Sequence, residues 1–137
     1  MTDPDCLFCK IIAGQIPARK VHEDDLVVAI EDINPVAPVH QLLMPRQHIA
    51  SAADLGEGDS AMLGRLFAVA AQLAAAAGLP ERGYRLVSNV GTEAGQSVPH
   101  LHVHLVGGRR FAWPPGWADP VAGDRRRWLR CSRSCSP

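Results

Sequence analysis

Three of the six histidines in this 137-residue chain, His100, His102 and His104, stand at alternate positions, and this row constrains the fold more than any other feature. They interleave with Leu101, Val103 and Leu105. A period of two is the period of an extended strand, whose successive side chains point to opposite faces. On a helix the imidazoles would be turned by about 200° per step and could not act together. On a strand, same-face neighbours stand roughly 6.5–7 Å apart, close enough to share a small substrate or a metal ion. The turn-prone run from Gly91 to Gly95 precedes the row, and Gly107-Gly108 ends it. Three readings are open: a strand whose polar face is merely rich in histidine, a metal site that keeps one position for water, or a covalent histidine nucleophile.

The rest of the chain narrows the setting. Its length suits one domain that buries roughly two thirds of its unfolded surface without disulfide staples. Fourteen Lys+Arg balance fourteen Asp+Glu, so the totals give no electrostatic case for nucleic acid or a membrane surface. Seven of those fourteen basic residues follow Gly108, a distribution typical of a solvated tail. No apolar run approaches the roughly 20 residues of a membrane span, and Met-Thr-Asp-Pro-Asp-Cys is not a secretory leader. A soluble cytoplasmic protein is expected, in which Cys6 and Cys9 are metal ligands or free thiols rather than a disulfide.

Local patterns predict the elements. Cys6 to Ala13 reads as a short helix stopped by Gly14. Lys20–Glu23 and Leu26–Glu31 form a hairpin about Asp24-Asp25, and His40–Pro45 is a third strand after a Pro-bearing loop. A long helix runs from about Ser60 to Ala77, capped by Asp59 or Ser60. Its stripe is Leu63, Leu66, Phe67, Ala70, Leu73, Ala74 and Ala77, read as core. Tyr84–Val90 is a fourth strand and the histidine row a fifth. Strands set apart from helices imply an α+β domain on an antiparallel sheet. From Trp113-Pro114-Pro115-Gly116 onward regular structure is not expected, which divides the chain into a domain over 1–116 and an irregular extension over 117–137.

Separated pieces of the chain resemble the histidine-triad (HIT) family in its Hint branch. They are Cys6-Leu-Phe-Cys-Lys-Ile-Ile, Glu23-Asp-Asp, Asp32-Ile33 with Pro35 and Pro38, His40, Pro45, His48, Tyr84-Arg-Leu-Val-Ser-Asn, Gly95-Gln-Ser, the triad and Trp-Pro-Pro-Gly. The resemblance covers roughly residues 5 to 116. It implies a five-stranded antiparallel sheet with one long and one short helix, two such sheets being joined across a homodimer through the long helix and its neighbouring strand. It also implies hydrolysis or transfer at the α-phosphorus of purine nucleoside phosphoramidates, such as adenosine or guanosine 5′-phosphoramidates, with no organic cofactor.

Residue roles follow from the same resemblance. His102 matches the nucleophile, which attacks as a neutral imidazole while its other nitrogen donates to a main-chain carbonyl on the same strand. His104, Ser97, Gln96 and Asn89 match phosphate-binding positions. His40 is the candidate proton route to the leaving amine, through Ser97 or His104. Asp32 matches the ribose-binding carboxylate, although as a bare residue it reads as a loop cap. Leu7, Phe8, Ile11, Ile33 and Leu42 match the apolar positions around the base, with core packing as the plainer reading.

Cys6 and Cys9 have the Cys-x2-Cys spacing of structural zinc, and His48 and His100 match the histidines of zinc-bearing bacterial HIT proteins. His100 then belongs both to the triad and to a closed zinc site. Reduced packing cysteines without metal are the other possibility. Trp117 to Pro137, with Arg125-Arg126-Arg127, Cys131 and Cys135, matches nothing in the family pattern. Two rival functions stay open: a dinucleoside polyphosphate hydrolase of the same superfamily, and a nucleotide-binding scaffold without catalysis.

Overall fold

The computed structural model describes residues 2–115. Helix α1 (Leu7–Ile12) leads into strands β1 (Lys20–Glu23), β2 (Val27–Glu31) and β3 (Val39–Pro45). Two single-turn 3-10 segments, Ala52–Asp54 and Glu57–Asp59, then deliver the chain to helix α2 (Ser60–Ala76), followed by β4 (Tyr84–Val87) and β5 (Val103–Gly107). The five strands form one sheet in the order β1-β2-β3-β5-β4, and every neighbouring pair is antiparallel.

Strands β2 and β3 are almost wholly buried because both faces of the sheet are covered there. Val27, Ala29 and Leu43 pack with α2 residues Met62, Leu66, Val69, Ala70 and Ala74. Val28, Ile30, Leu42 and Met44 face the other way and pack with Cys6, Phe8, Cys9 and Ile11 of the α1 segment. Burial of each such aliphatic contributes about 1.5–3 kcal/mol. Leu101, Val103 and Leu105 join the α2 side, so the aliphatics of the histidine row and its imidazoles do lie on opposite faces.

Three expectations need correction. The triad is not wholly in a strand: β5 begins at Val103, and His100 to His102 lead into it. Register explains this, because Leu43 pairs with Val103, and continuing the ladder would set Pro45, which has no N–H, opposite Leu101. The N–H of Leu101 donates instead to Ile49 O at 2.6 Å, and that of His100 to Val98 O at 2.9 Å. Strand β4 likewise stops at Val87 rather than Val90, since beyond it the Ser88 hydroxyl donates to His102 O at 2.9 Å. The third correction concerns α2, where Met62 and Val69 lie in the core while Phe67 is 52% exposed. Apolar residues occupy more than half of that helix's circumference, so spacing alone could not orient it.

The helix ends also depart from the simple reading. Asp59 is the N-cap of α2 by position, but its carboxylate accepts from Gly56 N–H at 2.9 Å, and the Ser60 hydroxyl donates to Glu57 O. Gly78, at φ 72°, turns the chain so that Leu79 N–H returns to Ala74 O. Among the described residues no helix is long and apolar enough to cross a membrane. The extension expected over 117–137 lies outside the described residues.

Candidate active site and metal centre

The extended lead into β5 sets the three histidines in different surroundings on one face. His100 lies under α1 with no exposed surface, His102 is buried beside it, and His104 is half-buried where α1 no longer covers the sheet. The Phe8 ring meets His102 edge-on, with centroids 5.0 Å apart and planes at 85°. His102 and His104 rings are also 5.0 Å apart.

Hydrogen bonds determine the tautomers. His102 Nδ1 lies 2.7 Å from His100 O; a carbonyl can only accept, so Nδ1 carries a proton, and in the neutral ring Nε2 holds the lone pair. Val36 N–H donates to His40 Nδ1 at 3.1 Å, which puts the single proton of a neutral His40 on Nε2. That Nε2–H faces His104 Nδ1 at 2.9 Å and Asp32 Oδ2 at 3.3 Å. His104 Nδ1 therefore accepts, and its Nε2–H is the donor left for a ligand. Burial first, then the imidazoles of His102 and His40, push His104 down to about 4 against the opposing pull of Asp32. It is neutral near pH 7.

The remaining candidates divide. Asn89 joins His40 and His104 in lining an open cavity of about 290 Å³. Gln96 does not offer its amide: Nε2 donates to Ala50 O (2.7 Å) and Val98 O (3.1 Å), and Oε1 accepts from Gly91 N–H, so the side chain braces the loop before the triad. Ser97 is exposed on that loop. Asp32 caps its own turn by accepting from Asn34 N–H at 2.7 Å, and also contacts His40, so the loop-cap reading and a site role coincide. Phe8, Ile11 and Leu42 are buried in the cluster beneath α1, whereas Leu7 is 44% and Ile33 90% exposed.

Four residues at this site lie outside the sequence reading. Val36 acts through its main-chain amide, for which no sequence signal exists. Arg85, Arg109 and Phe111 line the same cavity as His104. Arg85 alternates with Val87 and Asn89, and period two along that strand could have found it.

The second centre lies one histidine away. Cys6, Cys9, His48 and His100 bring four ligand atoms within 4.8 Å of one another. The Cys6 Sγ to His100 Nδ1 separation is 3.4 Å, Cys9 Sγ to His48 Nδ1 3.4 Å, and Cys9 Sγ to His100 Nδ1 3.5 Å. A tetrahedral ion with bonds of about 2.3 Å to sulfur and 2.0–2.1 Å to nitrogen requires S···N edges of about 3.5 Å, so the donor set fits zinc. His100 Nε2–H donates to Pro45 O at 2.8 Å, turning the Nδ1 lone pair towards the thiols. The N–H groups of Asp3 and Cys9 point at the sulfurs of Cys9 and Cys6, each at 3.4 Å, as suits thiolate ligands.

Comparison with known proteins identifies the family. The family model described as the HIT domain matches residues 13–111, most of the chain. The chain belongs to the HIT family. A solved HIT family hydrolase from Legionella pneumophila superposes with a TM-score of 0.80 at 51% identity, covering 82% of this chain and all of the other. An uncharacterised HIT-like protein of Synechocystis is 48% identical over 112 residues, 82% of this chain and 97% of the relative. A 14 kDa zinc-binding protein of Brassica juncea is 46% identical over 114 residues, 82% of this chain and all of that protein. His100, in the Cys/His cluster, and His102, beside His104 at the cavity, are neighbours on the row that joins the two candidate centres.

Proposed function

We propose that this HIT protein is a Hint-branch hydrolase and nucleotidyl transferase acting at the α-phosphorus of purine nucleoside phosphoramidates through a covalent nucleotidyl-histidine. The observation that carries the reading is the His102 Nδ1–H bond to His100 O, which in the neutral imidazole places the lone pair on Nε2. Attack forms an Nε2–P bond and breaks the P–N bond, whose electron pair leaves with the amine. The amine takes up a proton from the solvent-open cavity. Water then displaces the nucleotide and regenerates His102, so one difficult displacement becomes two easier ones.

The other residues position and neutralise charge, which is most of what phosphoryl transfer asks of a protein. His104 Nε2–H and the Asn89 amide are donors for the non-bridging oxygens, and Asp32 takes the ribose. Leu7 and Ile33 offer exposed apolar surface to the base. His40, whose Nδ1 accepts from Val36 N–H and whose Nε2–H faces His104 Nδ1, orients His104.

Cys6, Cys9, His48 and His100 would hold a zinc ion, which when bound would supply a structural cross-link between α1 and the histidine row. The protein works in the cytoplasm as a homodimer, in which exposed Phe67 on α2 and the edge strand β4 meet their copies. Light scattering on the purified protein tests this, and a monomer at micromolar concentration argues against it. The decisive experiment for catalysis is mass spectrometry of a quenched reaction with an adenosine 5′-phosphoramidate. A nucleotide adduct on His102, absent from His102→Ala, is expected. Turnover with no adduct on any histidine would overturn the mechanism.

A further inference from the structure

Beside His104 the sheet face opens into the cavity of about 290 Å³, which Arg85, Arg109 and Phe111 also line. None of the residues assigned to the nucleoside, Asp32, Leu7, Phe8, Ile11, Ile33 and Leu42, lines it. With the nucleoside held elsewhere, this cavity is the space left for whatever else is bonded to phosphorus.

Its chemistry is one-sided. The Arg109 guanidinium lies 4.4 Å over the Phe111 ring and that of Arg85 5.3 Å from it. Main-chain bonds hold both: Arg109 Nε donates to Val36 O at 2.8 Å, its Nη1 to Arg110 O at 3.1 Å, and Arg85 Nη2 to Ala112 O. These contacts fix the guanidinium planes without a carboxylate, and among the described residues no Asp or Glu lines the cavity. A second cavity of about 280 Å³ adjoins through Arg109, and the described residues that line it, Arg82, Gly83, Gly108, Arg109 and Arg110, include no carboxylate. Stacked, pre-oriented guanidinium forks match carboxylate and phosphate oxygens, and lose little conformational entropy in doing so.

We propose that this cavity is a leaving-group site selective for anions, with Arg85 and Arg109 as its specificity determinants. The proposal rests on the nucleotidyl-histidine reading and names the substrate class it serves. In the first step the Nε2–P bond forms and the bond from phosphorus to the leaving group breaks. The leaving group keeps the electron pair and takes a proton from water, while its carboxylate or phosphate is held between the two arginines. An amine bearing a carboxylate and the phosphate chain of a dinucleoside polyphosphate share this anionic chemistry, and kinetics tells them apart.

The experiment compares kcat/KM for adenosine 5′-phosphoramidates of aspartic acid, of its uncharged diamide and of a size-matched amine carrying an ammonium group, beside diadenosine tetraphosphate. Wild type should favour the aspartic acid compound over the diamide by about tenfold, the scale of one hydrogen-bonded charge, and disfavour the ammonium compound. That ratio should fall towards one in Arg109→Met and in Arg85→Met. In wild type alone it should also shrink as salt rises, a readout independent of whether the variants fold. Faster cleavage of the tetraphosphate than of the aspartic acid compound supports the site with phosphate as its ligand; the reverse supports it with carboxylate. Turnover of all phosphoramidates with a His102 adduct but no preference by charge overturns this proposal and leaves the catalytic reading standing. Absence of any turnover or adduct removes both.

Discussion

The main-chain carbonyl of His100 accepts the Nδ1–H of His102 at 2.7 Å, so a residue of the Cys6, Cys9, His48 and His100 cluster sets the tautomer of the proposed nucleophile. His102→Ala removes the attacking nitrogen while the rest of the site stays in place. The expected result is loss of kcat/KM for an adenosine 5′-phosphoramidate by at least about 1,000-fold, since a covalent nucleophile has no substitute. Steady-state kinetics beside circular dichroism checks this, and a loss below tenfold in a folded variant would contradict the assignment.

Metal content is the second test. Purified protein should carry close to one zinc per chain, and Cys9→Ser should carry almost none. Losing the cross-link between α1 and the histidine row should cost about 3 kcal/mol or more, which for a domain of this size lowers Tm by roughly 10 °C or more. Elemental analysis and thermal denaturation with and without chelator provide the measurement. Metal-free wild type with unchanged melting would refute zinc as the staple.

His104 gives a pH dependence with a defined sign. Its folded value, about 4, lies below the ordinary 6.5, so the unfolded chain takes up the proton first. Its contribution is therefore absent above about pH 6.5, and stability falls as pH drops from there to about 4. The slope from this single group is at most about 1.4 kcal/mol per pH unit. Denaturant unfolding of wild type and His104→Gln across that window should show the shallower slope in the variant.

Asp24 ties the β1–β2 turn to α2. Its Oδ1 accepts from Leu26 and Val27 N–H at 2.8 and 2.9 Å, and its Oδ2 lies 2.6 Å from His22 Nε2 and 2.8 Å from Arg65 Nε. Burial works against its charge, yet these donors together hold the carboxyl well below the usual range. The stabilisation is present above the ordinary carboxylate pKa and is lost only as pH falls through the depressed folded value. Asp24→Ala should cost about 2–3 kcal/mol by orphaning several donors at once, measured by urea unfolding at neutral pH.

Gly108 supplies a backbone test. Its φ is +92°, and a Cβ there would sit 2.9 Å from Pro38 Cβ, part of a ring that cannot yield. Gly108→Ala should destabilise by about 1–3 kcal/mol and weaken binding at the adjoining arginines. Thermal unfolding and the charge preference described above report the two effects separately.

Much of this protein is written locally. Alternation from His100 to Leu105 determined which side chains share a face, because the strand period acts over neighbouring residues only. The Cys-x2-Cys spacing likewise put two ligands on one short segment, and family motifs named their distant partners. Packing and pairing decided the rest. Insertion of β5 between β3 and β4 sets His104 beside His40 and Arg85, and Pro45 ends the ladder short of His100. The placement of α1 over one half of a uniform row sets His100 beside the thiols of Cys6 and Cys9 and leaves His104 open. Gln96 turns inward and Val36 fixes an imidazole through main-chain groups, which every residue possesses and no sequence pattern marks. Residue spacing encodes faces and turns, whereas the partner opposite each residue depends on loop closure and burial summed over the whole chain.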